Sequence, residues 1–282
     1  MKAITTILVL SCLFSCTTDD EITGNTPQLV VEGWIENGKF PEVILTTTIP
    51  ISKDYQSLSN IDRHLIKWAK VTIDDGERSV VLTGRIDKSK YPPYRYSTGE
   101  MRGEAGRIYR LTVEHEDYYA TSVTTIPDAV EIDSLKFECY GNNEGSRRIT
   151  AFFNNNNNAP EADFQFFTYS TNDKYRCYSP SHTGYVSHET NKGNISRVVC
   201  KGRTINNWED YITDFNPGDS VMVKLCRLDS LSSIFWRNFE EMSLLSRNPF
   251  FPVTQNLGSN INGGIGYWFG YGASEQMIVL PK

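Results

Sequence analysis

Apolar and polar positions alternate with period two over much of the first half of the chain. Leu29-Val30-Val31-Glu32-Gly33-Trp34-Ile35-Glu36 predicts a strand, Asn37-Gly38 a hairpin turn, and residues 42–49, rich in Val, Ile and Thr, the return strand. After a polar stretch at 52–63, strands are predicted at 69–73 and 79–83, joined through Asp74-Asp75-Gly76-Glu77. A short strand at 94–96 follows, then an alternating run at 108–113 and a β-branched run at 119–126 that stops at Pro127. Short strands punctuated by turn residues at this spacing predict an immunoglobulin-like β-sandwich over residues 28–127.

Pro127-Asp128 is the expected domain boundary, and residues 128–282 read as a second β-rich domain. Strands are predicted at 132–139, 148–153, 164–170, 197–200, 220–227 and 277–280, with polar loops at 154–158 and 179–194. One helix is expected near 230–246. Leu231, Ile234, Phe235, Phe239, Met242 and Leu245 recur at three- and four-residue spacing, and Asp229 or Ser230 can cap it. Residues 262–272 combine glycines with Tyr267, Trp268, Phe269 and Tyr271. Glycines there permit bulges or close backbone approach while the rings fill a core or an edge. The rival reading is an exposed aromatic platform, with Tyr267, Trp268 and Tyr271 as anchors for a partner. The fold class expected is therefore mostly β, with one amphipathic helix in the C-terminal half.

The first residues follow neither pattern. Met1-Lys2, an apolar run from Ile4 to Leu10, and Ser11-Cys12-Leu13-Phe14-Ser15-Cys16 make a secretory signal peptide over residues 1–15. The apolar run is too short to span a bilayer. Leu13-Phe14-Ser15-Cys16 resembles a bacterial lipobox, in which the cysteine thiol takes a diacylglycerol as a thioether before cleavage. Cys12 is a rival, but it leaves too short an apolar core before it. Lipidation at Cys16 would bury several acyl chains, such as palmitate, enough for stable anchoring. Residues 16–27 are then a polar tether. Asp19, Asp20 and Glu21 resemble the surface-export signal of Bacteroidetes lipoproteins; a solvated linker is the alternative reading.

Charge and composition narrow the function without naming it. The formal net charge is −6, or −7 once residues 1–15 and Lys2 are removed. A mildly acidic chain with no block of Lys and Arg argues against nucleic acid as a partner. Four cysteines remain beyond the signal: Cys139, Cys177, Cys200 and Cys226. Export permits disulfides, and Cys177–Cys200 is the favoured of the three pairing schemes, because the two flank a polar stretch in one half. No CxxC or paired Cys/His spacing suggests a metal, and His64, His115, His182 and His188 have no HxxH or HExxH neighbour. Ser181-His182 has no GxSxG elbow to support a nucleophile. No catalytic or metal residue and no cofactor is therefore expected.

The order of the short motifs resembles a Bacteroidetes lipoprotein family, domain of unknown function 4249. The residues that carry the resemblance are Leu29 to Ile35; Gly106 to Val113 with Ala120-Thr121 and Thr125-Ile126-Pro127; Asp133-Ser134-Leu135; Phe235-Trp236; and Asn260 to Gly266. The resemblance implies an outer-membrane lipoprotein, often encoded beside a TonB-dependent transporter of the SusC type. It implies no activity, ligand or catalytic residue. The expected function is a lipid-anchored, surface-exposed binding or accessory component of a TonB-dependent uptake system. A surface hydrolase and a structural or adhesive surface protein are the alternatives. One test addresses the anchor directly. Cys16→Ala should release the protein from membranes or leave it as unprocessed precursor; mature protein still carrying lipid would refute the assignment.

Overall fold

The computed structural model describes residues 27–48, 62–139, 145–155, 161–190, 192–202, 214–245 and 257–282. Fourteen strands and one helix lie within them. The first seven strands are β1 (Leu29–Glu36), β2 (Glu42–Thr47), β3 (Lys70–Asp74), β4 (Ser79–Ile86), β5 (Tyr94–Ser97), β6 (Ile108–His115) and β7 (Tyr118–Thr125). Their alternation does what the sequence pattern requires: Leu29, Val31 and Ile35 point to one side of β1, and Val71, Ile73, Tyr109, Leu111 and Val113 line β3 and β6. Side chains from β1, β2 and β5 meet those from β3, β4, β6 and β7 in one buried cluster. The two layers form a β-sandwich.

The second half contains β8 (Ile132–Cys139), β9 (Arg147–Asn154), β10 (Phe164–Ser170), β11 (Ser179–Val186), β12 (Asn194–Val199), β13 (Ser220–Arg227), α1 (Ser230–Leu245) and β14 (Ile265–Val279). A three-stranded sheet, β12-β9-β8, packs Ile149, Phe153 and Ile195 against Phe164, Phe166, Val223 and Leu225 of β10 and β13. Helix α1 covers the other side, placing Phe235 and Trp236 against Phe167, Cys226, Phe269 and Tyr271.

These parts share one sheet of eleven strands, in the order β11-β10-β13-β14-β1-β2-β5-β4-β3-β6-β7. Its keystone is β14, 15 residues long. Ile265 to Tyr271 run parallel to Val30–Glu36 of β1, while Gly272 to Val279 run antiparallel to β13. Residues 261–271 thus cross back over the expected boundary at 127/128. Ile261 and Trp268 are buried in the N-terminal core, and the Trp268 indole donates to the Tyr109 carbonyl at 3.1 Å. The glycines of β14 let other backbone come close. A Cβ on Gly272 would lie 2.4 Å from the Pro127 carbonyl oxygen, where the chain passes between halves.

Three sequence expectations need correction. Residues 179–194 are not all loop, because 179–186 form the edge strand β11. Its polar residues hide the pattern, but Ser181, Tyr185 and Val186 are buried against the sheet. The last strand starts at Ile265 rather than 277, since glycines at a close backbone approach removed the β-branched signal. The helix is rotated from its predicted face: Ser232, Phe235 and Trp236 are buried, while Leu231 and Ile234 are exposed. The Asp229 carboxylate caps the helix by accepting from the Ser232 N–H at 2.8 Å, as expected.

Trp268 joins the shared strand to the N-terminal core. Trp268→Ala should destabilise the protein by about 3–5 kcal/mol, read as a lower denaturation midpoint. A loss under about 1 kcal/mol would show that this ring does not anchor β14.

Candidate functional site

Every second residue of the central strands lies on the face of the large sheet opposite the N-terminal core. On β1 these are Glu32, Trp34 and Glu36, and the parallel register sets them beside Tyr267, Phe269 and Tyr271 of β14. The antiparallel register then brings Lys224 of β13 beside Glu275, and Phe167 of β10 beside Lys224. Trp236 of α1, the segment ending in Tyr178, Arg95 of β5 and Glu42 of β2 also line this face. Together these residues enclose a cleft of about 540 Å³, within the usual size of small-molecule sites.

Most of its charges are arranged in pairs, although Arg176 also lines the cleft outside them. Lys224 Nζ lies 2.5 Å from Glu36 Oε1, and both side chains are buried. The same ammonium sits 3.9 Å from the Tyr178 ring centroid, a cation–π contact. Burial pulls the Lys224 pKa down, but the Glu36 charge and hydrogen bond outweigh it and hold the ammonium above its ordinary value. Arg95 bonds Glu42 at 2.8 Å and lies 5.6 Å from the Trp34 ring, and Lys90 pairs with the other Glu42 oxygen. Burial pushes the Glu42 carboxyl up; Arg95 and Lys90 together bring it below the usual carboxylate range. Lys39 holds Glu275 at 3.3 Å. Glu32 instead accepts the Tyr267 hydroxyl at 2.9 Å, and burial followed by this carboxylate raises the phenol well above its normal pKa. The Tyr271 hydroxyl accepts from the Trp236 indole at 2.9 Å.

Residues 14–277 match the family described as Domain of unknown function (DUF4249). The chain belongs to this family. No curated protein matches it. Among solved structures, the crystal structure of chicken CNTN1 FN1-FN3 domains aligns with 92% of this chain and 69% of that one, at 12% identity and a TM-score of 0.25. A similarity that low carries no argument about arrangement or function.

Within this DUF4249 chain, the sequence-predicted sites fall in different places. Cys16, Asp19, Asp20 and Glu21 lie outside the described residues. Cys177 and Cys200 do not form the expected bridge; both are free thiols. Cys177 Sγ instead faces the cleft, taking the Tyr91 N–H at 3.3 Å and an Arg95 N–H at 3.4 Å. Cys200 is tied to Ser181, whose hydroxyl donates to its carbonyl at 2.7 Å, and burial pushes its thiol pKa up. Tyr267, Trp268 and Tyr271 are not a surface patch. Trp268 and Tyr271 are buried, and Tyr267 is half-buried on the cleft wall. A central strand with neighbours on both edges and layers on both faces leaves its rings little open surface. What the sequence reading missed is the Glu32-Trp34-Glu36 face. Its signal was present as acid, aromatic and acid at alternate positions opposite an apolar face of the same strand.

A second polar cluster contains serine, histidine and aspartate. Asp163 accepts from Tyr185 at 2.7 Å and from the Ser233 hydroxyl, and its other oxygen contacts His188 Nδ1 at 2.6 Å. A nucleophilic serine needs the imidazole between itself and the acid. Here the carboxylate is in the middle, so the cluster fastens α1 to β11 and holds no hydrolytic geometry. Among the described residues, no group of His, Cys, Asp and Glu is arranged to hold a metal. No described helix is long and apolar enough to cross a membrane.

The Lys224–Glu36 pair yields a direct test. Lys224→Met would strand a buried carboxylate and should lower stability by about 3–5 kcal/mol. Combining it with Glu36→Leu should recover most of that loss. Equal loss in the single and double variants, by urea denaturation, would show that the two charges are not coupled.

Proposed function

We propose that this protein is an outer-membrane lipoprotein, anchored through Cys16, that binds a small ligand in the junction cleft as an accessory of a TonB-dependent transporter of the SusC type. The observation that carries the binding reading is the cleft itself. Aromatic faces and fixed polar groups converge there on a rigid sheet, the usual composition of a ligand site. The Leu13 to Cys16 lipobox supports the anchor, and Asp19, Asp20 and Glu21 support display on the outer face. Family membership supports the transporter only through the resemblance from which that expectation arose.

Binding is favoured over hydrolysis by the state of the carboxylates. A general acid needs a carboxyl whose proton is retained, and a pair of acids at a set separation. Glu36, Glu42 and Glu275 each hold a cation instead. Such pairing leaves them already engaged.

A lipid-anchored accessory should remain with its transporter when native membranes are dissolved in a mild detergent. Affinity purification of the tagged lipoprotein, with mass spectrometry of what accompanies it, is expected to recover a TonB-dependent transporter above the level seen with an unrelated lipoprotein. Recovery of the lipoprotein alone from several gentle detergents would count against the partner, while leaving the cleft's binding role open to its own measurement.

A further inference from the structure

We infer that the end of the N-terminal sandwich from which the chain leads back to Cys16 rests on a lipid surface, with the Trp68 ring at headgroup level. This builds on the anchor reading and goes on to name the face of the protein that meets the bilayer.

The strand registers bring several elements to that end. β1 begins there, and Pro27 just before it is fixed: the Tyr118 hydroxyl donates to its carbonyl at 2.9 Å, and Gln28 exchanges bonds with Thr48 beyond the end of β2. Tyr118 opens β7 opposite His115 of β6, and Glu114 pairs with Lys70, the first residue of β3. Trp68 lies two residues before Lys70. The register of β3 with β4 carries Ile86 past Lys70 in the same direction. Trp68, Ile86 and Tyr119 are the most exposed large hydrophobic side chains among the described residues, at 88%, 67% and 63%. The opposite end turns on residues 75–78 and 99–106 and exposes Glu77, Arg78, Glu100, Arg102 and Glu104 beside Ile108.

Trp68 is fastened in its exposed position. The buried Tyr96 hydroxyl donates to the Ile66 carbonyl and accepts from the Ala69 N–H, each at 2.9 Å. Ile66 and Ala69 are themselves buried, so both sides of the two-residue step Lys67-Trp68 are tied to the core. Trp68 takes a φ of +71°, a left-handed conformation that is costly for a bulky residue. At its exposure the ring gains little within the protein in return. A strained backbone position that the surrounding structure enforces points to a use for the side chain it presents.

Spacing and chemistry favour a bilayer as the occupant. Ile86 on β4 and Tyr119 on β7 stand three strand positions apart, about 14 Å across the sheet. They line a rim, whereas the anchors of a protein interface cluster in a packed centre. Trp and Tyr suit the headgroup layer, where the ring is apolar and its N–H or O–H stays in polar surroundings. Charge adds little: Arg63 and Lys67 are offset by Asp62, Glu116 and Asp117, and Lys70 pairs with Glu114 at 2.7 Å. The contact therefore rests on rings and not on attraction to anionic lipid. Eleven residues separate Cys16 from Pro27, a span of at most about 40 Å. The opposite end lies farther away by the length of β1, 8 residues or about 26 Å. So short a connection to an acyl anchor raises the effective concentration of the Trp68 end at the bilayer, and a few rings suffice to hold it there.

The test reconstitutes the mature lipidated protein into phosphatidylcholine vesicles whose chains carry bromine either near the headgroup or near the chain end. The readout is quenching of tryptophan emission. Wild type is compared with Trp68→Ser and with Trp68→Phe, which keeps a ring and removes the indole; thermal unfolding of each is the fold check. The expected result is stronger quenching by the headgroup-proximal bromine, of which both substitutions remove at least half, unchanged at high salt. If Trp68→Ser fails to fold, Trp68→Phe gives the same reading. Equal quenching of wild type and both variants would overturn the inference. So would Trp68 quenching seen only at low salt, since salt screens a contact made by exposed charges and not one made by rings. Should Trp68 go unquenched while Trp68→Ser lowers recovery of the transporter on co-purification, the occupant is a protein and the lipid contact fails. Mass spectrometry separates the two readings: protein without acyl chains refutes the anchor alone, and wild type mixed with excess vesicles then still decides the contact through Trp68 quenching.

Discussion

The architecture depends on one strand having two partners of opposite direction. β14 runs parallel to β1 through Tyr271 and antiparallel to β13 from Gly272 onward. Each ladder alone would belong to one half of the molecule, but a strand cannot leave one without disturbing the other. The halves are therefore joined by backbone hydrogen bonds in a continuous sheet, which resists hinge motion far better than a loop linker does. The crossing at Pro127 and Asp128 explains why glycine is needed at 272. The chain leaving the first half passes within van der Waals reach of β14, where any side chain would collide.

The cleft follows from that continuity. Residues far apart in the chain become neighbours because two registers meet on β14. Glu32 and Tyr267 are joined by the parallel one, and Lys224 and Glu275 by the antiparallel one. Period-two alternation then sends all of them to the same face. The opposite face of β1 and β14 carries Val31, Ile35 and Trp268 into the first core. One strand thus specifies a dry side and a polar, aromatic side together. A one-residue slip would exchange them, placing Glu32 and Glu36 in the apolar core.

Much of this fold was legible wherever the local pattern was not shared with another demand. β1, β6, β8, β10 and β13 were visible as β-branched or aromatic runs, and the helix as a three-four repeat with an aspartate before it. β11 was hidden because an edge strand over a polar cleft needs few apolar residues. β14 was hidden because close backbone approach requires glycine, which reads as a loop. The helix face was displaced by partners no local pattern contains: Ser233 turns toward Asp163, and the Trp236 indole toward Tyr271. The site was least legible, being assembled by register from β1, β2, β5, β10, β13 and β14 and closed by α1 and the segment ending in Tyr178. Only its Glu32-Trp34-Glu36 face lay within a single run. The cysteine pairing failed for a related reason. Flanking a polar stretch says nothing about distance once that stretch folds as a strand, and the Cys177 thiol turns to Arg95 while Ser181 holds the backbone of Cys200.

The buried Lys224–Glu36 pair has a role that stability does not explain. Two apolar residues of similar volume would hold the same space at least as well, since desolvating both charges offsets much of their attraction. An apolar pair would also tolerate sliding. A short ammonium–carboxylate contact, further constrained by the Tyr178 ring, does not. Glu36 ends β1, Lys224 lies on β13, and β14 runs between them, so the contact spans both ladders of the shared strand at the point where its partner changes. Correct pairing satisfies both charges; a shifted register in either ladder would leave each buried and alone. The pair thus works as a check on register between the halves, and it does so within the cleft, whose acceptors keep their positions only while that register holds.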